Sequence, residues 1–171
     1  MNYKDYIRIA EDFPKPGISF KDVSPLLSDA KAFASAIEEL KEACANWEAD
    51  VVIGPEARGF LVGAPLALAL NKGFVMARKK GKLPGETLSR SYGLEYGSDT
   101  IEIPTFALKK GTRVILADDL LATGGTRAAI ESMLNEAGCP VVGIVTLIEL
   151  TDLKGSALLK APSFSLIRYP H

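Results

Sequence analysis

The spacing of apolar positions changes period repeatedly along the chain, and each change marks a new element. Residues 3–9 suit a short helix. Phe13-Pro14-Lys15-Pro16-Gly17 reads as a stiff loop, because two prolines restrict their neighbours. Asp29 is a good N-cap for a helix over residues 30–47, with Phe33, Ile37, Leu40 and Cys44 on one face. Residues 51–54 form a short apolar run ended by Gly-Pro, the pattern of a buried strand. Residues 59–70 are apolar on most sides, which predicts a buried helix. A strand follows at 74–77, then a basic loop at 78–87. Residues 91–95 and 100–104 pair as a hairpin turned by residues 96–99. Beyond it come a strand at 114–117, a helix at 125–137 stopped by Gly138 and Pro140, and strands at 141–150 and 164–167.

Short apolar strands alternating with helices predict an α/β fold, with a central, mostly parallel sheet covered by helices on both faces. The 91–104 hairpin breaks the alternation and is expected to stand outside the sheet as a flap. No repeat or linker divides the sequence, so residues 1–171 are expected to form a single domain.

Composition narrows the chemistry. With 47% hydrophobic and 24% charged residues the chain is not disordered, and a net charge of −1 weighs against nucleic acid. Two cysteines without CxxC spacing suit a reducing compartment. The polar N-terminus and the lack of an apolar run of about 20 residues argue against secretion and a membrane span, so a cytoplasmic location is expected. The one histidine is His171, the last residue. A Ser-His-Asp triad and a His/Cys zinc cluster are therefore poor readings. Carboxylates, cationic side chains, backbone amides and a hard metal remain.

The sequence at 114–126, VILADDLLATGGT, meets that requirement. Ligands of open α/β sheets sit beyond the C-terminal strand ends. There, Asp118 and Asp119 close a strand, and Thr123-Gly124-Gly125-Thr126 opens a helix. The amides of Ala122, Thr123, Gly124, Gly125 and Thr126, with two threonine hydroxyls, make a cradle for a phosphate monoester at a positive helix end. Two carboxylates beside a phosphate make sense as acceptors for neutral hydroxyls, so a ribose 5-phosphate suits both halves. A Walker A loop needs a lysine after the second glycine, and the dinucleotide fingerprint places its acid after the glycines; neither spacing occurs here.

This string resembles the phosphoribosyl-diphosphate motif of the type I phosphoribosyltransferases, and LLATGGT is most similar to their adenine branch. FPKPGISFKDVSPLLSD (13–29), EARGF (56–60), RKKGKLPGET (78–87), SYGLEYG (91–97) and LTDLKG (150–155) match further segments of that family in order. The resemblance implies the type I phosphoribosyltransferase fold, with a base-binding hood in residues 1–30 and a basic loop and projecting flap in 78–104. It implies the reaction of adenine with 5-phosphoribosyl 1-diphosphate (PRPP) to give AMP and diphosphate. It also implies a homodimer, and Mg²⁺ held through substrate and water with no direct protein ligand.

The residue roles follow from the same resemblance. Arg78, Lys79, Lys80 and Lys82 read equally as a solvated loop; beside the phosphate motif, capture of diphosphate is favoured, with Arg78, nearest its strand end, as the leading candidate. Arg58 would serve both diphosphate and base, after a non-proline cis bond at Glu56–Ala57; Pro55 replaces an expected aliphatic residue there. Glu95 would handle the purine proton, and Tyr96 would pack over the site near diphosphate. Gly93 departs from the more polar residue common in the flap. Phe20 would stack on adenine and Leu120 on its other face, while the neighbouring backbone, at Ser19 and Lys21, would read the ring edge. Oxopurine relatives carry a late-strand lysine that residues 141–148 lack, which favours adenine. A non-catalytic PRPP sensor would commonly carry an added DNA-binding module, for which 171 residues leave no room.

Overall fold

Among the described residues nine strands and four helices account for most of the chain, and the order in which the strands pair decides where a ligand can sit. The computed structural model describes residues 1–94 and 97–170. A 3₁₀ turn (Tyr3–Tyr6) leads into β1 (Arg8–Ala10), which pairs antiparallel with β2 (Phe20–Asp22) as a separate two-stranded sheet. The helix expected over 3–9 is thus one turn followed by a strand, because Arg8, Ile9 and Ala10 find backbone partners in Asp22, Lys21 and Phe20. A short α1 (Ser24–Ser28) not foreseen from the sequence precedes α2 (Ala30–Ala43), which Asp29 caps by accepting from the Ala32 amide. α2 stops short of Trp47, since that side chain turns away to lie against Gly143, where any Cβ would collide with the indole.

β3 (Val51–Pro55), α3 (Gly59–Leu70) and β4 (Gly73–Lys79) form the next unit. β5 (Thr87–Leu94) and β6 (Gly97–Pro104) follow, then β7 (Val114–Leu121), α4 (Gly125–Glu136), β8 (Val141–Leu150) and β9 (Ser163–Tyr169). The main sheet has the order β5-β6-β4-β3-β7-β8-β9. β4, β3, β7, β8 and β9 run parallel to one another, whereas β6 pairs antiparallel with both β4 and β5. The fold is therefore α/β with a mostly parallel seven-stranded sheet, as expected.

The hairpin differs in one respect. It does not stand outside the sheet: Arg78 and Lys79 of β4 pair with Glu102 and Ile101 of β6. Ile101 and Ile103 are buried with Leu116, Ile130 and Met133, and this apolar anchorage makes its inner half an edge of the sheet. Beyond Thr100 its strands pair only with each other, and that outer half is the flap. Ser98 and Asp99, expected in the turn, are paired with Gly93 and Tyr92.

One core lies between the sheet and α2 and α3, with Leu26, Leu40, Leu66 and Val145; the other lies beneath α4, with Ile53, Leu116, Leu134 and Ile144. α3 is only half covered, contrary to its reading as a buried helix. Val62, Gly63, Leu66 and Ala67 face inward, but Leu68 is 82% exposed, because helices flank the sheet in single layers and leave an outer side. Among the described residues no helix is long and apolar enough to cross a membrane.

Candidate functional site

The C-terminal end of β7 carries the densest chemistry. The strand continues through both acids to Leu121, four residues beyond the expected end at Ala117. Alternation along it sends Asp118 and Asp119 to opposite faces. Asp118 lies toward α4 and close to Gly59, where a Cβ would stand 3.1 Å from its Oδ1. Asp119 is 5% exposed and is met by Arg58 Nε at 3.1 Å. The chain then turns through residues 122–124 into α4, and a cleft of about 330 Å³ opens over this turn. Residues 120–127 line it, with Asp118, Pro55 and Glu56 on one side and Lys79, Tyr92, Asp99 and Ile101 on the other.

The cradle is shaped by two glycines. Gly124 precedes α4 with φ +85°, a left-handed conformation that side chains disfavour. A Cβ on it would stand 2.5 Å from the Gly155 carbonyl oxygen, and one on Gly155 would collide with the Ala122 carbonyl. The 150–155 segment is thus the back wall of the cradle. Gly125 has open space around its Cβ position and leaves room for a ligand.

Burial and charge set the state of Asp118. Desolvation is the largest influence and raises its carboxyl pKa to about 7. The Arg127 cation opposes that, the Asp119 charge and a hydrogen bond with its side chain add to the rise, and the Asp119 amide, donating at 2.8 Å, lowers it.

The residues expected near the base come partly together. Arg58 lies with its guanidinium carbon 5.9 Å from the Phe20 ring centroid, so Phe20, Arg58 and Asp119 form one line. Phe13 packs edge-on against Phe20 with ring centroids at 5.3 Å. The Glu56–Ala57 peptide is cis, where the resemblance placed it. Ser19 donates to Glu11, and Lys21 Nζ donates to the Ser19 hydroxyl at 2.7 Å and lies 5.3 Å from the Tyr169 ring centroid. Leu120 lines the cleft from the β7 side.

The basic run divides. Lys79 lines the cleft with its ammonium 3.8 Å from Asp99. Arg78 instead donates through Nε to Glu56 at 3.1 Å, and Glu56 also accepts the Lys79 amide at 2.7 Å. Lys82 is exposed, its carbonyl 3.5 Å from Arg78 Nη1, and the Lys80 amide bonds to Thr100. Glu102 pins the loop by accepting from the Gly81 amide and the Thr87 hydroxyl, and these bonds hold its carboxyl below the usual range. Glu95 and Tyr96 lie outside the described residues.

Sequence reasoning passed over Glu56 and Arg127 as site residues. Each adjoined a segment that had been singled out: Glu56 opens EARGF, and Arg127 directly follows Thr126. For Arg127, a cation as the third residue of a helix that must bury a face was the available signal.

Comparison with known proteins gives a consistent result. The family model for the phosphoribosyl transferase domain matches residues 23–165. An adenine phosphoribosyltransferase of Alkaliphilus metalliredigens is 53% identical over 99% of this chain and 100% of its own length, and that of Desulfitobacterium hafniense is 49% identical over 99% and 98%. Among solved structures, the adenine phosphoribosyltransferase of Thermoanaerobacter pseudethanolicus superposes with a TM-score of 0.93 at 51% identity, covering 97% of both chains. The Saccharomyces cerevisiae enzyme, solved with an imino-altritol bisphosphate and adenine, gives 0.89 at 40% identity over 95% of both.

Proposed function

The chain belongs to the phosphoribosyltransferase family, and from that premise we propose how its residues divide the work. The reaction is that of the adenine branch: adenine and PRPP give AMP and diphosphate, in purine salvage. The 5-phosphate sits on the amides of Ala122, Thr123, Gly124, Gly125 and Thr126, with the Thr123 and Thr126 hydroxyls as further donors. The observation that carries this is the Gly124–Gly155 approach, which leaves the turn open to an anion and closed to a Cβ.

Asp118 and Asp119 take the 2′ and 3′ hydroxyls. Lys79 supports the diphosphate from the cleft wall, while Arg78 and Lys82 approach it from the loop. Arg58, on its line between Phe20 and Asp119, joins the base to the sugar. Adenine stacks between Phe20 and Leu120, and Ser19 and Lys21 meet its edge.

Departure of diphosphate leaves positive charge on C1 and the ring oxygen, and adenine N9 attacks C1. Glu95 accepts the purine proton. Tyr96 and the outer hairpin cover the site and exclude water from the cationic centre.

The family generally uses Mg²⁺ with PRPP. Among the described residues no cluster of three or more carboxylates, histidines or cysteines could hold a metal, which fits an ion held through the hard oxygens of the substrate diphosphate. When bound, it neutralises the leaving diphosphate, and we assign its coordination to substrate and water oxygens. A homodimer fits the partly uncovered α3, where Leu61 and Leu68 are exposed; sedimentation velocity reads the mass. Both cysteines are free and buried, which suits a reducing compartment.

The decisive experiment is AMP formation from adenine and PRPP, with hypoxanthine and guanine as competing bases and Mg²⁺ present or omitted. AMP as the main product supports the assignment; IMP or GMP at equal rates overturns its base specificity.

A further inference from the structure

The most deeply buried charge at the site has no part in the roles above. Arg127, in the first turn of α4, is 3% exposed. Its Nη1 donates to the Thr146 hydroxyl of β8, itself fully buried. Its Nη2 donates to the Leu120 carbonyl at 2.9 Å and stands 3.6 Å from Asp118 Oδ2. Its Nε has no hydrogen-bond partner among the described residues. Thr146 is the register partner of Asp118. One guanidinium therefore links the helix that begins at the cradle, the strand end that carries the acid, and the neighbouring strand.

Packing alone does not call for arginine here. An unbranched apolar side chain of similar length would fill the space without burying a cation or leaving an N–H unpaired, and buried ion pairs often add little stability over such a replacement. What arginine supplies is a fixed positive charge and two directed donors. Burial lowers the guanidinium pKa, but the carboxylates of Asp118, Asp119 and Glu149 all oppose that, and it stays charged.

We propose that Arg127 is a positioning residue for PRPP: it holds Asp118 oriented to accept a ribose hydroxyl, and through the Leu120 carbonyl it fixes the strand end from which Leu120 meets the base. This rests on the assignment of Asp118 to the sugar. Arg127 acts on the substrate through Asp118 and Leu120, so its effect should appear in PRPP binding before it appears in turnover.

The test is a double-mutant cycle on the full-length enzyme with Arg127→Met, Arg127→Lys and Asp118→Asn, reading KM for PRPP, kcat and Tm. Arg127→Met is expected to raise the PRPP KM about tenfold, within the range for coupled neighbours, with kcat changed less. Arg127→Lys should recover part of the loss, because it restores the charge. In the Asp118→Asn background Arg127→Met should cost less than about twofold. Equal costs in the two backgrounds, or a loss of kcat and Tm with PRPP KM unmoved, overturn the inference while leaving the sugar site intact. If Asp118→Asn by itself leaves the PRPP KM unchanged, the sugar assignment fails, and the inference falls with it.

Discussion

The two walls of the cleft are built on opposite principles. On the β7–α4 wall, charges are buried and few: Arg127 is 3% exposed and the Asp118 side chain 18%, and the two stand 3.6 Å apart. On the β4–β6 wall, charges are many and open. Lys79 and Asp99 stand 3.8 Å apart with the lysine side chain 60% exposed, and Glu102 pins the loop from an open surface. Buried pairs are oriented but costly to ionise, whereas exposed pairs are cheap and screened by salt. A neutral hydroxyl must be met by an acceptor in one place. A departing polyanion needs charge that can follow it. The walls suit these two partners in turn.

Replacing Glu95, to which we have assigned the purine proton, probes this division most severely. Glu95→Gln should lower kcat by about a hundredfold or more, the usual scale for a general base, while the PRPP KM changes little. Single-turnover AMP formation checks it. Unchanged turnover would remove chemistry from the hairpin and leave that wall with binding alone.

Gly124→Ala should strike the opposite wall. The left-handed backbone alone costs about 1–2 kcal/mol, or a Tm lower by roughly 2–8 °C in a domain of this size. The approach to Gly155 adds to it, and the PRPP KM should rise as the turn shifts. Calorimetry with and without PRPP reads both effects. A variant with normal Tm and normal KM would show that the cradle is not the rigid partner of the two.

A smaller effect distinguishes the walls by pH. We have assigned Asp118 to a ribose hydroxyl, which its ionised form accepts better than its neutral form, and its pKa is raised to about 7, so PRPP binding should strengthen by up to roughly tenfold from pH 6 to pH 8, the span of one ionisation. Substrate ionisation is common to all variants, so the part that vanishes in Asp118→Asn belongs to this residue. Stability moves the other way. A carboxyl whose folded pKa lies above its unfolded value of 3.8 favours folding below that value and loses the contribution as pH rises through about 7. Denaturation of wild type relative to Asp118→Asn should therefore show a disadvantage that grows between these limits. A flat difference would mean that Asp118 is as well solvated as the exposed acids.

The two walls were also unequally legible in the sequence. The cradle lies within one continuous string, so the order of acids, glycines and threonines was enough to place a strand, a turn and a helix start, although the strand runs on to Leu121. The Gly124–Gly155 contact joins residues 31 positions apart, and Arg127 meets Thr146 across two elements; neither pairing is visible without the register of β7 on β8. The hairpin was found but misplaced, because alternation reveals that Ile101 and Ile103 share a face without revealing what covers it. Resemblance supplied the cis bond at Glu56–Ala57, which local patterns do not encode, and the contact of Arg58 with Phe20 came only from the structure.

The smallest expected effect concerns Arg78, the leading candidate of the basic run. Its Nε is engaged by Glu56 at 3.1 Å on a partly exposed surface, so it is not a free cation awaiting diphosphate. Exposed pairs of this kind are worth about 0.2–1 kcal/mol. Arg78→Ala should then weaken diphosphate inhibition by about fivefold or less, and the difference should shrink toward nothing in about 1 M salt, where the screening length is roughly 3 Å. Lys79→Ala should cost more than Arg78→Ala, because Lys79 lines the cleft while Arg78 is turned to Glu56. The reverse order, with a loss that persists in high salt, would mean that Arg78 leaves Glu56 when diphosphate binds and meets it in a desolvated site. The basic wall would then resemble the buried one once loaded, and the contrast between them would hold for the empty enzyme alone.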